Sequence, residues 1–170
     1  PVDAMIAHHP LPEHLFDYAT GSLAEGPAVA VASHNSGCVA CRQEVARLEA
    51  IGGALTMEIE PECEVSEDLL SRTLIRLNDP PEPAVAPRLE LDERTRRLVP
   101  MPVWPYLRGS LDQLVWRPLG IGLSVAALKQ SSGAYRLSLL NIAAGRRLPR
   151  HTHRGEELTV VLAGGFSDET

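Results

Sequence analysis

The sequence has few aromatic residues, three cysteines and no long apolar run. Aromatics make up 4% of the chain against 44% hydrophobic residues in total, so a core must be built mainly from aliphatic side chains. No apolar stretch approaches the ~18–20 residues that a helix needs to cross a bilayer, and no membrane span is expected. A basic N-terminal segment followed by an apolar one is also missing, so no secretory signal is expected. Three cysteines are too few for a disulfide scaffold. Two of them stand in a C-x-x-C, which in a reducing compartment points to metal or redox chemistry rather than a structural bridge. The expectation is a cytoplasmic protein, and 170 residues allow one ordinary domain or two small ones.

Positive charge is scarce in the first half. Residues 1–78 hold four arginines against twelve acids, a net of −8, whereas residues 79–170 hold twelve basic residues against ten acids, a net of +2. An acidic half of this kind is not suited to direct contact with nucleic acid. It is either a solvated surface or a match for a protein whose own surface is basic.

The two halves also differ in pattern. PEHLFDYATGSL places Leu15, Phe16, Tyr18 and Leu23 near one side of a short helix ended by glycine. GPAVAVASHNSG predicts a second helix, with Pro27 in the first turn and Gly37 as a stop. CVACRQEVARLEAIGGALTME predicts the longest one, with Val45, Leu48, Ile51 and Leu55 in one stripe and Gly52-Gly53 as a weak point or kink. SEDLLSRTLIRLND predicts a fourth, capped by Ser66, with Leu69, Leu70, Leu74 and Leu77 on one face. Four helices in residues 1–78 make a small bundle. Residues 79–98 begin with Pro80, Pro81, Pro83 and Pro87 and are expected as a linker. In residues 99–170 the segments QLVWRPL, LSVAALK, YRLSLLNIA and ELTVVLAG are rich in strand formers and predict antiparallel β structure. The fold class is therefore α+β in two domains.

His34-x3-Cys38-x2-Cys41 falls at the junction of the second and third helices. Two cysteines three residues apart at a helix start can offer both sulfurs to one metal, and the positive helix end favours thiolate. His34 reaches the same point from the end of the preceding helix. A closed structural zinc site needs a fourth ligand, with His8, His9, His14 and Cys63 as the choices. A redox dithiol and plain buried cysteines are the alternatives. His14 on its helix face reads as a solvated side chain and Cys63 as an ordinary thiol.

A second motif runs Gly145-x5-His151-x-His153-x3-Glu157-x6-Gly164. On a strand, His151 and His153 share a face, and Glu157 follows after a turn through Gly155. Two imidazoles and a carboxylate suit Zn, Fe or Mn; a surface turn with Glu157 in an ion pair is the bland alternative.

This string resembles the first motif of the cupin superfamily. The resemblance implies a small β-barrel, of which the sequence to Thr170 carries only the first half, without the fourth metal ligand. His9-x24-His34-x3-Cys38-x2-Cys41 resembles the zinc-binding anti-sigma domain, which implies Zn2+ held by His9, His34, Cys38 and Cys41. Both in this order resemble the ChrR-type anti-sigma factors. That resemblance implies inhibition of an extracytoplasmic-function sigma factor and its release by singlet oxygen or related oxidants. The Leu69, Leu70, Leu74 and Leu77 face becomes a candidate docking surface as well as a packing stripe. No enzymatic activity is then expected; a cupin metalloenzyme, dioxygenase or isomerase, with a helical accessory domain is the alternative.

Overall fold

A computed structural model describes residues 6–80, 89–129, 135–148 and 155–165 of the chain. Three helices open it: α1 (Pro12–Ala19), α2 (Glu25–Gly37) and α3 (Val39–Met57). Pro12 sits at the start of α1, where its missing N–H costs nothing. Between α2 and α3 the chain needs only Cys38, whose extended backbone (φ −97°, ψ 109°) ends one helix and caps the next. The three helices bury Leu15, Val31, Cys38, Cys41 and Val45, with Tyr18, Ala19, Leu23 and Leu48 packed around them. α3 continues unbroken through Gly52 and Gly53. Its C-terminal half is solvent-exposed, Ile51 at 47% and Leu55 at 60%.

The fourth helix, α4 (Leu69–Arg76), buries none of its residues. The expected four-helix bundle is thus a packed three-helix unit with α4 standing apart among the described residues. Between them runs EIEPECEVSED, residues 58–68, exposed throughout. Its acids repel one another and favour solvation over collapse. The expected cap at Ser66 is also corrected. The Ser66 carbonyl accepts the Leu69 N–H in a turn, and the helix starts after Asp68.

Residues 91–98, expected as linker, are instead folded. Asp92 Oδ1 accepts the Thr95 N–H at 2.6 Å and starts α5 (Glu93–Leu98). Thr95 is wholly buried, and its hydroxyl accepts the Leu111 N–H at 2.9 Å. Leu91, Val99, Val103, Leu107, Leu114, Ala126 and Leu128 form the second core. A 3-10 turn (Met101–Tyr106) follows α5, and the Trp104 indole N–H donates to the Val99 carbonyl at 2.7 Å.

Three strands cover this core: β1 (Arg117–Gly120), β2 (Leu123–Ala127) and β3 (Ser138–Ile142), antiparallel in the order β1-β2-β3. Val125 faces Leu140 in the β2–β3 register. Gly122 makes the β1–β2 turn at φ 76°, a conformation that suits glycine. The helical region and this sheet give the α+β, two-domain cupin-like organisation. The segment ELTVVLAG, expected as a strand, forms no ladder among the described residues. Leu158, Val160 and Leu162 instead line an apolar seam with Val29 and Ala30 of α2. The two units touch elsewhere too: the Tyr106 hydroxyl donates to Glu25 Oε1 at 2.8 Å. No helix among the described residues is long and apolar enough to cross a membrane.

Candidate metal centre

Residues 8–10 lead into α1, and His9 turns toward the α2–α3 junction. There His9, His34, Cys38 and Cys41 each offer one ligand atom, and these atoms lie within 4.8 Å of one another. His9 Nδ1 is 3.5 Å from Cys38 Sγ and 3.4 Å from Cys41 Sγ. Around a tetrahedral zinc with bonds of about 2.3 Å to sulfur and about 2.0–2.1 Å to nitrogen, sulfur–nitrogen edges of about 3.6 Å are expected. The two imidazoles meet edge to face, with ring centres 5.6 Å apart.

Local structure fixes each donor. His34 lies in the last turn of α2, and its carbonyl accepts the Cys38 N–H at 3.0 Å. Cys38 Sγ accepts the Cys41 N–H at 3.5 Å as the cap of α3, which places both sulfurs on the first turn. The Arg42 guanidinium donates to the Asn35 carbonyl at 2.6 Å and ties the two helix ends together. Sequence reasoning did not single out Arg42 or Asn35; a cation one residue past the C-x-x-C was the available signal.

The donor set fits zinc. Cys38 and Cys41 are buried at 4% exposure each. His34 Nε2 is buried with no hydrogen-bond partner among the described residues, a cost that a metal bond would remove. Burial lowers the His34 pKa, and the neighbouring His9 lowers it further, so the imidazole is held neutral as a ligand must be. Burial first, then Cys38, pushes the Cys41 thiol up to about 11. A divalent cation would supply the charge that stabilises the thiolates.

The other histidines and Cys63 fall elsewhere. His8 lines a neighbouring cavity. His14, expected to be solvated, is mostly buried at 12% side-chain exposure, and its Nε2 meets Glu156 Oε1 at 2.8 Å. Cys63 is an exposed free thiol. In the second motif, His151 and His153 lie outside the described residues, and Glu157 is exposed. Leu69, Leu70, Leu74 and Leu77 are exposed by 43%, 70%, 52% and 74%, so they are not a packing stripe within the described chain.

Comparison with known proteins adds three findings. A family model described as the ChrR cupin-like domain matches residues 107–170. Anti-sigma-E factor ChrR of Cereibacter sphaeroides is 38% identical over 165 residues, covering 97% of this chain and 74% of that protein. The crystal structure of Rhodobacter sphaeroides SigE in complex with the anti-sigma ChrR is similar at a TM-score of 0.69 and 33% identity, covering 89% of this chain and 74% of the matched one.

Proposed function

Because the chain belongs to the ChrR family of anti-sigma factors, we propose that it binds an extracytoplasmic-function sigma factor with its zinc-loaded helical unit and releases it on exposure to singlet oxygen or related oxidants. The observation that carries this reading is the convergence of His9, His34, Cys38 and Cys41 at the foot of an acidic helical unit whose α4 leucines face solvent. With all four positions filled by side chains, Zn2+ there serves as a cross-link with no open position for catalysis. His9 ties the segment before α1 to the junction of α2 and α3, so the metal joins all three helices.

Residues 1–78 are the inhibiting half in this account and residues 99–170 the sensing half, with residues 79–98 between them. Leu69, Leu70, Leu74 and Leu77 present an apolar face that nothing in the described chain covers. Around it lies an excess of acid, which suits a basic helical partner and disfavours nucleic acid. His151, His153 and Glu157 are the candidate ligands of a second divalent metal, Zn, Fe or Mn. The relatives are anti-sigma factors, which sets aside the reading of a cupin metalloenzyme.

The test is co-expression with each extracytoplasmic-function sigma factor of the source organism. One of them should co-purify with the chain in equal amount, together with zinc. Purification of the zinc-loaded chain free of every such factor would overturn the partner assignment. Illumination of the complex with a photosensitiser should then free the sigma factor. A complex that survives this treatment would remove singlet oxygen from the account.

A further inference from the structure

Residues 156–162 touch the helical unit at three places. Glu156 Oε1 meets His14 Nε2 of α1 at 2.8 Å. The other carboxylate oxygen of Glu156 accepts the Tyr135 hydroxyl at 3.5 Å. Tyr135 lies against Gly26 of α2, where an added Cβ would fall 2.5 Å from the Tyr135 Cβ. Next, Leu158, Val160 and Leu162 face Val29 and Ala30 of α2 across a cavity of about 100 Å³. Finally, Leu158, Thr159 and Val160 line a second cavity of about 130 Å³ whose far wall includes His9 and His34.

We propose that residues 156–162 are a strap joining the second motif to the metal centre, with the Glu156–His14 pair as its fastening and Leu158 and Val160 as its seat beside His9 and His34. The inference rests on the reading of the four-residue cluster as a zinc site. Burying the His14 ring costs free energy for each polar atom left unpaired; among the described residues Nδ1 has no hydrogen-bond partner, so the bond from Nε2 to Glu156 carries the compensation. Glu156 is covalently joined to Glu157, the carboxylate of the second motif, and their Cα atoms are held about 3.8 Å apart. A backbone shift at Glu157 therefore moves the fastening on α1. It also moves the residues beside two zinc ligands. The strap thus has a docked state and a released state, and groups at either end can bias it.

Hydrogen exchange of residues 12–19 and the rate of zinc transfer to a chromophoric chelator, both on the full zinc-loaded chain, test this. Glu156→Ala and His14→Ala should each speed both processes by about two- to fivefold, the range open to a partly exposed ion pair. The double variant should be no faster than either single one. Single variants that behave as the parent, or a double variant whose effects multiply, would overturn the strap. If alanine at position 156 prevents folding, Glu156→Asp shortens the reach by one methylene and reads the same contact. A parent chain that binds no zinc would instead overturn the metal reading, and exchange in residues 12–19 would still report on the Glu156–His14 contact.

Discussion

Cys38 acts twice at one turn: its extended backbone ends α2, and its sulfur caps α3 while facing His9. An apolar replacement there would remove a ligand and a cap together. Cys38→Ser keeps a capping oxygen but loses the soft donor, so zinc per chain should fall from one equivalent toward zero at the first site. Far-ultraviolet helicity and the melting temperature should drop with it, since a three-helix unit this small has little core. Equal zinc content and an unchanged melting curve would contradict the assignment. Thr95 tests the second core at the same scale. Thr95→Val keeps the shape but removes the acceptor for the Leu111 N–H. The unpaired buried donor should cost about 1–3 kcal/mol in denaturant unfolding. Such residues differ in how far the sequence announces them. His34, Cys38 and Cys41 are legible because one helix junction brings them together. The choice of His9 over His8 and His14 depends on how the chain enters α1. The His14–Glu156 contact spans nearly the whole chain and leaves no local pattern.

Among the elements, α4 and α5 show what pattern alone can and cannot tell. The leucine stripe of α4 has the same spacing whether it packs inward or meets a partner, so only its exposure separates the two. Leu70→Glu or Leu74→Glu should leave zinc content and melting unchanged, because both side chains already face solvent. Capture of the sigma factor should weaken tenfold or more, measured by titration calorimetry or co-purification. Loss of stability with undiminished capture would place the leucines in a core instead. α5 was hidden by the prolines on either side of it, whereas its Asp92-x2-Thr95 cap is a local signal that a helix begins there. The Thr95 N–H holds the Asp92 carboxyl below the usual carboxylate range. A lowered folded-state value stabilises the fold above the unfolded pKa of about 4 and loses that contribution as pH falls through the lower folded value. The melting gap between the parent and Asp92→Ala should therefore be constant above about pH 5 and narrow below about pH 4. A gap that widens in acid would mean that the carboxylate is not the cap.

For the whole molecule, the two halves are distinct in sequence but share a seam. The change of style near residue 79, the acid excess before it and the strand-rich segments after it made two units legible. Their contact was not legible, since Tyr106 with Glu25 and Leu158 with Val29 pair residues whose neighbours in sequence say nothing of each other. In the proposed function this seam is the physical hold of residues 99–170 on residues 1–78: Glu156 pairs with His14 of α1, and Leu158 and Val160 line the cavity that His9 and His34 also line. In the proposed function, inhibition needs the helical unit, its metal and the α4 face. Reconstituted transcription tests that claim most directly. RNA polymerase carrying the co-purifying sigma factor is given a promoter which that factor reads, and the full zinc-loaded chain is titrated in. The account predicts that transcripts vanish as the chain reaches equivalence with the sigma factor and that Cys38→Ser fails to suppress them. Transcription that continues at equivalence, or a Cys38→Ser chain that inhibits as well as the parent, would contradict it.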